Sequence, residues 1–367
     1  LGVGDRQRVE ILKVLYRGAR ILILDEPTAV LVPSEVDELF ANLAELKQEG
    51  VTILFISHKL DEVLKVADSI TVIRAGTTVT SVSPQDVTAR DLAELMVGSD
   101  LPTPEAREST VTDRVVLSVR GLTVASGTGR PVVEDVTFDI HAGEIVGIAG
   151  VEGNGQTELI EAIIGLQPLE RGSVQLDGQD ITEWSTRRRR EEGVGYIPQD
   201  RHRHGLLLDA PLWENAALGH QTAPPFSKGM FIDRAGARGR TETIVADYDV
   251  RTPGIEVPAH ALSGGNQQKL IVGREMEASP KVLIAAHPTR GVDVGAQAAI
   301  WDQLRAARVS GLATLLVSAD LEELIGLSDQ LLVIYRGRIV ARLHPDQVTP
   351  EELGSYMTGA RTAQEVP

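Results

Sequence analysis

The chain of 367 residues contains no cysteine. That excludes disulfides, thiolate metal sites and a cysteine nucleophile, and it fits a reducing compartment. No apolar stretch approaches the roughly 18–20 residues needed to span a bilayer. The opening LGVGDRQR lacks the apolar core of a signal peptide. Any membrane role is therefore expected to come through a partner. Nor is there an excess of basic residues: 36 Lys and Arg face 52 Asp and Glu, for a net charge of −16. That balance argues against electrostatic binding of DNA or RNA. The one basic run, Arg187-Arg188-Arg189-Arg190, is followed at once by Glu191-Glu192 and reads as a solvated helix face.

What the chain does contain is a long internal repeat. Leu1–Gly98 aligns with Leu262–Gly359 without a gap, at a constant offset of 261 residues. LGVGDRQ faces LSGGNQQ, ILILDEPTA faces VLIAAHPTR, Ser57-His58 faces Ser318-Ala319, and ARDLAELMVG faces PEELGSYMTG. The period is too long for a solenoid and marks two copies of one domain. The second copy owns a further stretch, Val115–Ala261, with no counterpart in the first. The expected organisation is 1–98, the C-terminal part of a first domain that lacks its N-terminal part, and 115–360, a second domain. A polar linker with two prolines, 99–114, joins them, and 361–367 is a tail. On this reading the first copy loses a central strand and part of the core on which its helices pack.

Ile21–Leu24 and Val51–Ile56 are short β-branched runs of the kind seen in buried parallel strands. Between them Val36, Leu39, Phe40, Leu43 and Leu46 fall at helical spacing over Ser34–Gln48, which completes a βαβ unit of an α/β domain. Thr88-x-x-Asp91 and Thr349-x-x-Glu352 resemble capping boxes.

The strongest local pattern is the run Glu144–Gly150, a strand, followed by Val-Glu-Gly153-Asn154-Gly155-Gln156-Thr157 and an apolar helix over Glu158–Leu166. Strand, glycine-rich turn and helix is the setting of a phosphate-binding loop. Glycines let consecutive N–H groups turn inward around phosphate oxygens, and the helix N-terminus adds about half a positive charge. The pattern G-x-x-x-x-G-K-[ST] is met from Gly150 to Thr157 except that Gln156 stands where the lysine belongs.

LSGGNQQK, the Gln199 of YIPQDR, ILILDEPT and SHKLDE together resemble an ABC-type ATPase, over nearly the whole chain. More narrowly, GVEGNGQTELIEAI, PQDRHRHGLLLD, LSGGNQQK and IAAxPTRGxDVGA resemble the tandem ATPase subunits of sugar and nucleoside importers. The resemblance implies RecA-like P-loop α/β domains with a helical signature subdomain, and ATP with Mg²⁺ as ligands. It also implies two composite sites, each between the phosphate loop of one domain and the signature of the other. In such a site a lysine and Mg²⁺ offset phosphate charge, an Asp holds the metal, and a Glu orients or deprotonates the attacking water. A His contacts the γ-phosphate, and the signature serine and glycines cap it.

Sorted this way, the two sites differ sharply. One would join Gly150, Gly153, Asn154, Gly155, Gln156 and Thr157 to the signature Leu1-Gly2-Val3-Gly4-Asp5. There Lys is Gln156, the metal-holding Asp is Ala286, the catalytic Glu is His287, the switch His is Ala319 and the signature Ser is Gly2. Thr157 keeps a hydroxyl for a metal, and no aromatic lies in Gly121–Pro131, where relatives stack a ring on adenine. Weak nucleotide binding and negligible hydrolysis are expected there. The other site would take Asp25 as metal ligand and Glu26 and His58 as catalytic residues, with Ser263, Gly264 and Gly265 across from them. Its phosphate loop would lie in the stretch missing from the first copy, so the chain as given is expected not to hydrolyse ATP efficiently. Gln199, after a strand at Val194–Ile197, would be the Q-loop glutamine, near Mg²⁺ and coupled to a transmembrane partner, with Arg201–Asn215 as the permease-facing surface. His287 reads as a structural histidine, and His202-x-His204 as part of a polar loop rather than a metal site.

The function so implied is the motor subunit of an importer for simple sugars or nucleosides. It would sit peripherally on the cytoplasmic face of the plasma membrane, with permease subunits and an extracellular substrate-binding protein as partners and no nucleic acid. The transported substrate is not encoded in these residues. Two other readings remain open: a non-catalytic nucleotide-binding remnant, and a tandem translation-type factor. The short proline-bearing linker and the acidic balance disfavour the latter.

Overall fold

The structure, a computed structural model, describes residues 9–10, 13–14, 16, 18–28, 31, 33–57, 59–74, 76–97, 109–125 and 131–361. The chain divides into two units, Leu1–Arg107 with Asp293–Gly295, and Glu108–Val292 with Ala296–Pro367.

In the first unit the order is β1 (Ile21–Asp25), α1 (Pro33–Gln48), β2 (Thr52–Ile56), α2 (Leu60–Val66), β3 (Ile70–Arg74), β4 (Thr77–Val82) and α3 (Ala89–Val97). β1 and β2 pair in parallel, Ile21 against Thr52 through Asp25 against Ile56. Alternation puts Leu22 and Leu24 in one apolar cluster with Leu39, Phe40 and Leu43 of α1. The opposite face of the pair carries Ile21, Ile23, Leu54 and Ile56, which are 45–65% exposed.

The second unit opens with β5 (Val115–Ala125) and β6 (Pro131–His141), then β7 (Ile145–Ala149), α4 (Gln156–Ile164), β8 (Arg171–Leu176), β9 (Gln179–Asp180), α5 (Thr186–Glu191) and β10 (Val194–Ile197). A helical stretch follows with α6 (Leu212–Ala217), a short ribbon β11 (Ser227–Lys228) and β12 (Phe231–Ile232), α7 (Arg234–Asp247) and α8 (Gly264–Glu277). β13 (Val282–Ala286), α9 (Val294–Val309), β14 (Ala313–Ser318), α10 (Leu321–Leu327), β15 (Gln330–Tyr335), β16 (Arg338–Leu343) and α11 (Pro350–Met357) complete it. Six strands form one sheet in the order β10-β13-β14-β7-β15-β16, parallel but for β16. β5, β6, β8 and β9 make a separate antiparallel sheet. Val146, Ile148, Ile284 and Val317 pack with that second sheet and α4. Ile145, Ala149, Leu283 and Leu316 pack on the other face with the helices. Burial on both faces is why these strands read as unbroken apolar runs.

Local geometry recurs at the same offset as the sequence. β13 pairs with β14 from Val282 against Ala313 to Ala286 against Val317, the register of β1 and β2. The hairpins β3–β4 and β15–β16 share an irregularity, after Val72 and after Val333. Both capping boxes form: Asp91 accepts from Thr88 N at 2.8 Å and donates its own N–H to Thr88 Oγ1 at 3.2 Å. Thr349 and Glu352 exchange the same two bonds at 3.2 Å.

The arginine run departs from the expected solvated face. Arg187 and Arg188 are exposed, but Arg189 is 2% exposed. Its guanidinium donates to the carbonyls of Ile163, Thr182, Ala162 and Trp184, which include the last turn of α4. Arg190 donates to Glu275, a fully buried carboxylate that also accepts from Arg274 Nε and Tyr196 N. Burial alone would raise the Glu275 pKa, but Arg274 and Arg190 hold it well below the ordinary range. A run of one charge did not reveal that two of its members lie against buried carbonyls and a buried acid.

Candidate functional site

The glycine-rich turn joins β7 to α4, with the helix starting at Gln156 rather than Glu158 and stopping at Gly165. Gly155 caps the helix at φ +106, and a Cβ there would stand 2.7 Å from Val132 O, so both conformation and space require glycine. Asn154 fixes the loop from two sides. Its amide donates to Val151 O at 3.0 Å, and its Oδ1 accepts from Arg336 N at 2.8 Å. Gly337 N donates to Asn154 O at 2.9 Å, so the turn between β15 and β16 holds the loop's far rim. The sequence gives no sign of that link, which spans 182 residues.

Gln156 is 8% exposed and donates to Val151 O at 3.1 Å. Its side chain closes onto a carbonyl of its own loop and carries no charge. Gly153, at φ +90, and Thr157 are exposed. Gly150 is crowded by that same Gln156, whose Nε2 lies 2.5 Å from where a Cβ would be. The loop therefore keeps two left-handed glycines and a helix N-terminus, without a cation at position 156.

Gln199 is half-buried between β10 and a single π-helical turn, Arg201–Gly205, capped by Asp200. The backbone N–H groups of Arg203 and His202 hold the Asp200 carboxyl below its usual range. Arg201 reaches from this turn to Arg290 O at 2.7 Å, Gly291 O at 3.3 Å and Gln267 Oε1 at 3.3 Å. His202 donates from Nε2 to the same Gln267 oxygen at 2.9 Å. That accounts for His202 structurally, and no cluster of three metal-ligating side chains occurs among the described residues.

Ser263 occupies the N-cap position of α8 and is exposed, with no bond to the helix's own N–H groups. Instead Asn266 Nδ2 donates to Ser263 Oγ at 2.9 Å. Gly264 follows, with Arg201 Nη2 2.7 Å from its hypothetical Cβ, and Gly265 is buried. The start of α8 thus presents a hydroxyl at a helix N-terminus that has no side-chain cap bond, a setting suited to an anion.

The ends of β1 and β13 carry the sharpest contrast. Asp25 is the exposed last residue of β1, and Glu26 follows at φ +47, its N–H donating to Ile56 O at 2.9 Å. At the end of β13 Ala286 is buried, and His287 follows at φ +49, its N–H donating to Val317 O at 2.7 Å. The left-handed turn is the same, and the chemistry is different. His287 Nδ1 accepts from Ala319 N at 3.3 Å, and burial, then the nearby Arg290, push its pKa down to about 4. It is a neutral, bonded imidazole at pH 7. His58 and the signature residues 1–5 lie outside the described residues. Asp25 and Glu26 are hard oxygen donors of the kind Mg²⁺ takes alongside substrate phosphates; Ala286 and His287 are not.

Comparison with known proteins bears on the family. The family model described as "ABC transporter" matches residues 133–290. The nucleoside import ATP-binding protein NupA of Lactococcus lactis subsp. cremoris is 45% identical over 359 residues, 98% of this chain and 71% of that protein. The glucose import ATP-binding protein TsgD13 of Haloferax volcanii is 44% identical over 367 residues, 99% of this chain and 66% of that protein. Among solved structures, an ATP-binding subunit of an ABC transporter superposes with a TM-score of 0.55 at 22% identity, covering 66% of this chain and 99% of that one. That likeness speaks for the fold. With a pinned glycine loop, an open N-terminus on α8 and relatives of this identity and coverage, the chain belongs to the ATP-binding proteins of the ABC transporter family.

Proposed function

We propose that the chain is the ATP-hydrolysing motor of an importer for simple sugars or nucleosides, with one working and one degenerate composite site. The observation that carries this reading is the pair of left-handed turns. Asp25-Glu26 keeps a metal ligand and a general base, whereas Ala286-His287 offers neither. In the working site Glu26 takes a proton from, or orients, the attacking water, and His58 contacts the γ-phosphate. Ser263, Gly264 and Gly265 cap that phosphate with a hydroxyl and helix N–H groups. Mg²⁺ held by Asp25 would offset charge on the phosphates. The phosphate loop at Gly150–Thr157, lacking lysine and base, holds nucleotide weakly and does not turn it over, and Thr157 and Gln199 are weak candidates for a metal there.

The names of NupA and TsgD13 support import of a nucleoside or a hexose. No helix among the described residues is long and apolar enough to cross a membrane. The import ATP-binding relatives support a peripheral subunit docked on permease partners at the cytoplasmic face, with an extracellular binding protein delivering substrate. Arg201–Asn215 is the proposed permease-facing segment. The test is ATP turnover by the assembled transporter with Glu26→Gln beside His287→Gln. Loss in the first alone supports the assignment, and loss in both or neither overturns it.

A further inference from the structure

Glu26 follows β1 in the first unit, and Lys59, the residue after His58 in the sequence, precedes the helix that begins at Leu60. Three side chains there have no role in the reading above. Thr28, fully buried, donates from Oγ1 to Glu62 Oε2 at 2.5 Å. Lys59, the residue after His58, places its ammonium 3.3 Å from Thr28 O and 3.5 Å from Glu62 Oε1. Lys59 N also donates to Ser57 Oγ at 3.1 Å. The ammonium and carboxylate thus tie Thr28, two residues after Glu26, to the start of α2. Both are largely sheltered, at 34% and 15% exposure, so the pair is only partly screened by water.

The second repeat shows the same frame with the cation removed. Thr289 donates to Glu323 Oε1 at 2.7 Å and Asp320 N donates to Ser318 Oγ at 3.0 Å. In place of the lysine stands Asp320, which caps α10 instead. Glu323 is fully buried, its Oε2 has no partner among the described residues, and Trp301 Nε1 donates to its Oε1 at 3.0 Å. Burial, reinforced by Asp320, pushes its pKa up to about 7. The bridge has lost its charge in the repeat that has also lost its base, its metal ligand and its switch histidine.

We propose that Lys59, Thr28 and Glu62 are positioning residues of the hydrolytic site, locking the Glu26 loop to the start of α2, next to His58 in the sequence, so that Glu26 and His58 serve the same γ-phosphate. This rests on the assignment of Glu26 as the base. A group misplaced by about 1 Å can cost on the order of 10²-fold in rate without loss of binding.

The experiment is steady-state ATP turnover by the assembled transporter carrying Lys59→Asp, Lys59→Arg or Thr28→Val, with Glu26→Gln as reference and ATP binding measured on each preparation. Lys59→Asp copies the second repeat. It is expected to lower kcat by about 10²-fold with KM for ATP within about threefold. Thr28→Val, which removes only the hydroxyl, is expected to lower kcat about tenfold, and Lys59→Arg to keep most of it. Glu323→Gln is expected to leave turnover unchanged. The proposal is overturned if Lys59→Asp and Thr28→Val turn over normally, or if kcat falls only together with ATP binding. If Glu26→Gln itself stays active, the site assignment has failed, and not the bridge alone.

Discussion

The strands β1 and β2 share their register with β13 and β14, yet their burial is opposite on one face. Ile21, Ile23, Leu54 and Ile56 are 65%, 63%, 54% and 45% exposed, while Val282, Ile284, Leu315 and Val317, at the same places in the repeat, are 0–3% exposed. The covering atoms in the second unit come from β7, α4 and the antiparallel sheet, all within Val115–Ala261. The stretch that supplies the phosphate loop also supplies half of the core. Binding element and hydrophobic layer are one piece of chain, so neither can be absent without the other.

Four tests would break or sharpen the comparison. The largest difference is expected at the base. In the assembled transporter Glu26→Gln should cost about 10²–10⁴-fold in ATP turnover, against no measurable change for His287→Gln. Equal losses would mean that both turns are catalytic. Next is burial. Ile284→Ala should lower the unfolding free energy by about 2–5 kcal/mol in denaturant titrations of this chain, and Ile23→Ala by less than about 0.5. A large effect at Ile23 would show that its face is covered in solution.

The third concerns Glu323. Because its folded pKa lies at about 7, above its ordinary 4.5, its contribution to stability is full below about pH 4.5 and is lost as pH rises through 7. Stability measured from pH 5 to 8 should fall by about 3 kcal/mol from this group. Glu323→Gln should flatten that slope, and Asp320→Lys, which installs the cation found at position 59, should shift it to lower pH. A slope unchanged by either places the titrating group elsewhere. The smallest effect is expected from Gln156→Lys, which should tighten nucleotide binding by the second unit about tenfold in calorimetry without starting hydrolysis, since Ala286 and His287 remain.

Much of this was legible from order and spacing. The βαβ unit over residues 21–56 and both capping boxes follow from periodicity and from residue types with strong local preferences. The strand at Val194–Ile197 and the glycine turn after β7 were equally plain. Boundaries moved by one or two residues, because Pro33 and Gln156 suit a first helical turn as well as their neighbours do. What could not be read was long-range. Arg189 looked like one charge among four, and only the fold brings four carbonyls to it. Asn154 read as a member of the phosphate loop, and only the fold shows the hairpin at Arg336 closing on it. The Lys59–Glu62 bridge was hidden because i,i+3 charges on a helix usually face water, and nothing in the sequence said that Thr28 would fold over them.

The two positive φ angles, +47 at Glu26 and +49 at His287, have one more consequence. A left-handed non-glycine residue costs on the order of 1–3 kcal/mol wherever it stands. On the proposed reading the second repeat maintains that strain without a reaction, and its main chain keeps the left-handed turn that carries Glu26 in the first. Reawakening it is a matter of side chains: Ala286→Asp and His287→Glu would be installed on a backbone that needs no redesign.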